Sequence, residues 1–306
     1  MWADALAHYS FDNPQVQFIR HNENITYKVV DGAKSFLLRI HQPIDGFDLS
    51  VLRFDSSLAD LVEGEMSLLA YLADNCVVPV QKVVPNRHGQ LVSYLADLTP
   101  VTVLEWITGE TLEQTSVTPQ IAFALGETIG HLHNATAHKT FTQRYVYDAA
   151  LLTRMIAEAE IAMDKGHFTS DIAVTIIAAL SRIREYLYTS TQRTLIHGDI
   201  GQSNLVLHNN VLTPIDFSLS GSGIPEMDIA SAYAHLNDDE LNEAVFRGYV
   251  SVSDLAVSED VISACFALQI LLFVIMQHNK YGKDPKFQED LVGWSRAYFE
   301  PLCALY

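Results

Sequence analysis

The chain is predicted to be an α+β protein of two units, a five-stranded antiparallel sheet with one helix over residues 1–107 and a mostly helical unit over 108–306. Three observations predict this. Apolar residues alternate through 15–42 in the manner of half-buried strands. A helical period follows at Leu58, Leu61, Val62, Met66, Leu69 and Leu72. Past Thr108-Gly109-Glu110 the alternation stops, and helical patterns occupy 119–136, 148–164, 170–189, 228–235, 239–249, 258–278 and 285–304, with one short hairpin among them.

Taken in order, 16–19, 25–30 and 35–40 form a meander whose turns, 21–24 and 31–34, are polar. Residues 43–57, with Pro43, Asp45, Gly46 and Asp48, are expected to be irregular. After the helix, strand-like runs at 80–84 and 90–95 flank the turn Asn86-Arg87-His88-Gly89, and 102–107 closes the sheet, six runs for a sheet expected to have five strands. The most apolar run, 261–276, is broken by Ser263 and Gln269 and is expected to be a buried helix too short to span a bilayer.

Composition narrows the function. With 306 residues, 49% hydrophobic and 18% charged, the chain has a globular enzyme's make-up and not that of a disordered segment. The net charge of −18 argues against nucleic acid, whose phosphates it would repel. It suits a cationic or zwitterionic partner, and equally an acidic solvated surface. The start, Met1-Trp2-Ala3-Asp4, has no basic stretch followed by an apolar one, so no signal peptide and no membrane partner are expected. Cys76, Cys265 and Cys303 are far apart, odd in number and without metal-ligand spacing, which fits a reducing cytoplasm.

The chemistry concentrates in the hairpin. His197-Gly198-Asp199 is followed five residues later by Asn204, an apolar strand (Leu205, Val206, Leu207), a turn (Asn209, Asn210), and then Asp216-Phe217 twelve residues after the asparagine. That spacing brings three oxygen-bearing side chains to one hairpin edge. Magnesium takes oxygen ligands and keeps several waters, so Asn204, Asp216 and phosphate oxygens complete a site. Asp199 is left to orient an acceptor hydroxyl and receive its proton. The pattern implies phosphoryl transfer from ATP.

Other residues fit around it. On the third strand Leu37 and Arg39 share one face while Phe36, Leu38 and Ile40 share the other, so Arg39 can meet phosphate with Glu65 of the following helix as its partner. Asn24, in the 21–24 turn, lies where backbone N–H groups can cover phosphates. Glu105-Trp106-Ile107, at the junction of the units, either offers backbone groups to an adenine edge or is a plain edge segment. Asp228 is either an N-cap or a support for the catalytic loop. His131 and His133, two apart on a helix, make no zinc pair. An acceptor amine has two candidate surfaces in the helical unit. The acidic residues Glu158, Glu160, Asp164, Asp171, Asp238, Asp239 and Glu240 could attract it, or Trp294, Tyr298, Phe266 and Phe273 could box it, although aromatics at helical spacing are usually core.

Over most of its length the chain resembles the aminoglycoside phosphotransferase and choline kinase-like superfamily, small-molecule relatives of protein kinases. The resemblance rests on His197-Gly198-Asp199-Ile200-Gly201-Gln202-Ser203-Asn204 and Ile215-Asp216-Phe217, with weaker support from Leu38-Arg39-Ile40, Glu65 and Gly223-Ile224-Pro225-Glu226-Met227-Asp228. It implies a two-lobed protein-kinase-like fold and an ATP- and Mg2+-dependent kinase of a small-molecule hydroxyl (amino sugar, amino alcohol, homoserine-like or sugar). A non-catalytic nucleotide-binding module and a kinase of protein hydroxyls are the alternatives. By position it implies Asp199 as catalytic base, Asn204 and Asp216 as metal ligands, Arg39 on phosphate with Glu65, and Asp228 as loop support. Arg39 stands where protein kinases and many relatives carry lysine; arginine is always charged and grips phosphate bidentately.

Overall fold

A computed structural model describes residues 1–44, 49–53, 55–189 and 192–303. Asp45, Gly46 and Asp48 of the segment expected to be irregular, and Ala304 at the end of the last helical pattern, lie outside them. In chain order the elements are α1 (Trp2–Leu6), β1 (Gln15–His21), β2 (Ile25–Asp31), β3 (Lys34–Ile40), α2 (Ser50–Arg53), α3 (Leu58–Asn75), β4 (Ser93–Tyr94), β5 (Pro100–Glu105) and β6 (Glu110–Thr111). Then come α4 (Pro119–Thr136), β7 (Tyr145–Val146), α5 (Ala149–Asp164), α6 (Ser170–Thr189), β8 (Thr194–Ile196), β9 (Leu205–His208), β10 (Val211–Pro214) and β11 (Gly221–Gly223). The chain closes with α7 (Glu226–Leu236), α8 (Asp239–Val252), α9 (Glu259–Tyr281), α10 (Pro285–Trp294) and α11 (Glu300–Cys303).

The large sheet has five strands among the described residues, in the order β1-β2-β3-β5-β4. The expected strand at 80–84 is not one of them: it touches the sheet through a single bridge, Val83 to Leu104. Its apolar alternation is real, but Val80 packs into the core under α3 instead of extending a ladder. The closing strand ends at Glu105, two residues short of expectation. The face alternation of β3 holds. Leu38 and Ile40 pack with Val101, Val103 and the short α1 on one side, while Leu37 joins the core of α3 on the other.

Ser57 starts α3 by accepting from the Asp60 N–H, and Leu61, Val62, Met66, Leu69 and Leu72 bury one stripe of the helix. Glu65 lies on that same buried side, 2% exposed, so a charge is drawn into the core toward the sheet. Burying a carboxylate there requires a partner.

In the helical unit α4 and α8 approach until little room is left between backbones. A Cβ added at Gly126 would lie 2.0 Å from the Val245 carbonyl oxygen, and one at Gly248 would lie 2.0 Å from that of Phe123. Gly126→Ala is therefore expected to push the helices apart at a cost of about 1–3 kcal/mol, lowering the melting temperature by roughly 2–6 °C. Thermal unfolding followed by far-UV circular dichroism checks this; an unchanged midpoint would mean the two helices slide freely.

The apolar run of 261–276 belongs to α9, 23 residues long and, by length and composition, long and apolar enough to cross a membrane, which corrects the expectation that it is too short. It is nonetheless a core helix: Ile262, Leu268, Leu271, Val274 and Ile275 are buried among α5, α6 and α7. The last expected helix is divided: α10 passes through a π turn at Ser295–Phe299 into α11.

Candidate active site

The hairpin β9–β10 sets the centre of the site. Asn209 and Asn210 both adopt left-handed backbone (φ 49° and 63°), the two-residue turn that matches strand twist. Below the strands the Ile215 N–H donates to the Asn204 carbonyl at 2.9 Å, which places Asn204 beside Asp216. Asp216 itself is left-handed (φ 62°), a conformation aspartate tolerates at a cost and one common at functional sites.

Asp199 and Asn204 are joined directly: the Asn204 Nδ2 donates to Asp199 Oδ2 at 2.8 Å and to its main-chain oxygen at 3.0 Å. Both N–H bonds of the amide are spent this way, and no protein donor reaches Asn204 Oδ1 among the described residues. Burial pushes the Asp199 carboxyl above its ordinary value; His197 draws it back, Asp216 adds to the rise, and the Asn204 hydrogen bond opposes it.

From above, Arg39 reaches down off β3. Its Nη2 lies 2.6 Å from Glu65 Oε1 and its Nη1 3.4 Å from Asp216 Oδ1, with the side chain 4% exposed. The expected Arg39–Glu65 pair is formed, and it ties sheet, helix and hairpin together. Arg39 Nε is sealed in protein without a hydrogen-bond partner. A buried donor without an acceptor is costly, and the guanidinium bears that cost while its two Nη groups hold Glu65 and Asp216.

The loop carrying Asp199 is held from behind by Asp228. Its Oδ2 accepts from the His197 N–H at 2.7 Å and its Oδ1 from the Gly198 N–H at 2.9 Å, while His133 Nε2 lies 3.0 Å from Oδ2. Pro225, not Asp228, precedes the first residue of α7, so the N-cap alternative fails and the loop-support alternative holds. Burial raises the Asp228 carboxyl, but the His133 and loop hydrogen bonds prevail and hold it below its ordinary value of 3.8. Gly198 (φ 81°) must be glycine, because a Cβ would meet the Leu219 carbonyl at 2.5 Å. His197 completes the frame: Nε2 bonds the Ile215 carbonyl at 3.0 Å, and Nδ1 accepts from the Asp199 N–H at 3.3 Å.

A cleft of about 710 Å³ joins these groups; Asn24, Arg39, Ile107, Asp199, Asn204 and Asp216 all line it. Such a volume suits a nucleotide and a small co-substrate. Glu105 contributes differently from Ile107: its side chain points to solvent and only its backbone is available.

Four residues that the sequence did not single out belong to the site. Arg20, at the end of β1, places Nη2 3.5 Å from Asp216 Oδ2 and brings a second cation to the cleft. Glu23, in the polar turn, accepts from Ser218 Oγ at 3.2 Å. Burial, reinforced by Asp216 and Glu65 and opposed by Arg39, pushes its carboxyl up to about 8. Arg144 is buried with no carboxylate partner among the described residues; it donates instead to the carbonyls of Leu61 on α3 and of Phe217, Ser218 and Ser220 after Asp216. Gln81 lines the cleft beside the junction. Their signals are non-local, since each is defined by a partner on a distant segment.

The two expected acceptor surfaces are not part of the cleft. Glu158 accepts from the buried His278 at 2.8 Å, and Asp238 caps α8. Phe266 packs on Tyr298 with centroids 5.0 Å apart and the exposed Phe273 on Trp294 at 6.0 Å, so these rings pair α9 with the C-terminal helices.

A strand-borne cation with its helix glutamate, above a hairpin edge carrying Asp199, Asn204 and Asp216, defines a protein of the two-lobed kinase-like class. The chain belongs to the phosphotransferase enzyme family, whose profile matches residues 15–258. Among curated proteins it is 21% identical over 223 residues to amicoumacin kinase of Bacillus subtilis (strain 168), a match spanning 70% of this chain and 61% of that protein. Solved structures that share its fold include two kinases. One is an amicoumacin kinase in complex with AMP-PNP, Ca2+ and Ami (TM-score 0.76, 18% identity, 98% of this chain and 92% of that one). The other is a microcompartment-associated aminopropanol kinase (TM-score 0.72, 24% identity, 99% and 95%).

Proposed function

We propose that this protein transfers the γ-phosphate of magnesium-ATP to a hydroxyl of a small molecule bearing an amine, with 1–107 as the nucleotide-binding lobe and 108–306 as the catalytic and acceptor lobe. The observation that carries this reading is the convergence of Asp199, Asn204, Asp216 and Arg39, itself held by Glu65 from behind, on one cleft. Supporting it, the similar structures include a kinase holding an ATP analogue and a divalent ion and a kinase named for an amino alcohol. Unpaired cysteines among the described residues suit a cytoplasmic enzyme.

The residues fit a hard divalent cation: Asn204 offers Oδ1 and Asp216 offers a carboxylate, both oxygen ligands. Asn204 and Asp216 would hold magnesium, which would supply positive charge against the phosphates. Asp216 is held meanwhile by Arg20 and Arg39 at 3.4–3.5 Å, contacts long enough to be exchanged when phosphate draws both cations to itself. Asp199, one oxygen fixed by Asn204, presents the other to the acceptor hydroxyl, holds it in line and receives its proton. The backbone of Glu105 and Ile107 takes the adenine edge, and Asn24 lies over the phosphates.

A thermal-shift series tests the donor half. ATP with magnesium at about one hundred times its dissociation constant should stabilise the fold by roughly 2.7 kcal/mol, and Asp216→Ala should remove the magnesium dependence. No shift with any nucleotide would sink the proposal.

A further inference from the structure

Of the three N–H groups of residues 105–107, two are engaged. The Glu105 N–H donates to Lys82 O at 2.8 Å and the Trp106 N–H to Ser35 O at 3.0 Å. The Ile107 N–H donates to nothing among the described residues, and Ile107 lines the cleft. An N–H left over two residues beyond a carbonyl is the arrangement that meets the edge of a purine, N1 on the N–H and a 6-amino hydrogen on the carbonyl. The Glu105 carbonyl already accepts one bond, from Gln81 Nε2 at 3.2 Å. A carbonyl oxygen has two lone pairs, so one remains for a base.

Gln81 is 5% exposed and lines the same cleft. The end of its amide that faces a carbonyl must be the NH2, because a carbonyl only accepts, and this assigns the other end as Oε1. No donor in the described residues reaches that oxygen, yet it is not among the atoms sealed in protein. Beside the junction there is thus an acceptor awaiting a donor, held in place by its own NH2. Adenine carries two hydrogens on its 6-amino group, one for Glu105 O and one for Oε1. Guanine carries an oxygen there, which would set lone pair against lone pair at both positions.

We propose that Gln81 reads the 6-position of the purine and makes the donor site selective for adenine over guanine nucleotides. This rests on the cleft being a nucleotide site. A site built to hydrogen-bond a substrate group discriminates against analogues lacking it, because its own polar atoms are then left unpaired.

The test is titration calorimetry of the full chain with magnesium and three nucleotides: ADP, the diphosphate of purine riboside (no 6-amino group) and GDP. Wild type should bind ADP more tightly than either of the others by at least about fivefold, the worth of one net hydrogen bond. Gln81→Leu should lower the ADP preference over the deaminated nucleotide by about fivefold, leaving the part the Glu105 carbonyl carries, while keeping its affinity for the deaminated nucleotide and its melting temperature. Should Gln81→Leu not fold, Gln81→Asn, whose shorter amide cannot span the same distance, replaces it. A variant that keeps the wild-type ratio overturns the proposal, as does a wild type that binds ADP and the deaminated nucleotide equally. Failure of wild type to bind any of the three overturns the donor reading along with it.

Discussion

Asp199→Asn should abolish phosphoryl transfer and leave nucleotide binding in place. The substitution keeps the shape of the side chain and an oxygen for the Asn204 Nδ2, so the loop keeps its geometry. What it removes is the charge that orients the acceptor hydroxyl and the site that receives its proton. General-base catalysis is worth on the order of 10²–10⁴ in rate, so turnover should drop by that amount while the dissociation constant for magnesium-ATP changes less than about threefold. Loss of nucleotide binding in a folded Asp199→Asn protein would mean that Asp199 serves the phosphates and not the acceptor.

The second large effect is on the fold around that loop. Asp228→Ala withdraws the acceptor of two main-chain N–H groups, His197 and Gly198, and of the His133 ring, all in a place closed to water. Leaving buried donors unmet should cost about 3–5 kcal/mol, or roughly 6–10 °C in melting temperature. Against a total stability of about 5–15 kcal/mol this is severe, and Asp228→Asn, which keeps one acceptor oxygen, should fall between the two. The effect also has a pH signature. Because the folded carboxyl lies below its ordinary value of 3.8, its contribution is present above that value and is lost as pH falls through the lowered one. In Asp228→Ala this part of the acid destabilisation should vanish. An Asp228→Ala protein that melts with wild type would show that the loop keeps its shape unaided.

The centre of the site is legible in the sequence because its signals are local. Residues 197–217 carry their chemistry at fixed short offsets, and a hairpin turn at Asn209-Asn210 converts those offsets into proximity. Arg39 and Glu65 are legible because strand alternation and helical period each place one side chain facing the same seam. The rest depends on partners that no short window contains. Residues 80–84 alternate like a strand, but whether they join a ladder depends on neighbours across the sheet, and only Val83 found one. Arg144 reads as an ordinary surface cation until Leu61 and Phe217, each more than seventy residues away, supply the carbonyls that bury it. Glu23 reads as a turn residue until Asp216 and Glu65 surround it. The aromatics of α9 and α10 illustrate the converse: their helical spacing suited a binding box, and packing used it to join the helices.

The most direct measurement is the fate of the γ-phosphate. The protein is incubated with magnesium and γ-labelled ATP over a panel of amino alcohols and amino sugars, and label in acceptor is counted against label in free phosphate. The expected result is label on the hydroxyl of at least one acceptor, in wild type and not in Asp199→Asn. Label appearing only as free phosphate across the panel, or at the same rate in Asp199→Asn as in wild type, would contradict a hydroxyl phosphotransferase working through Asp199.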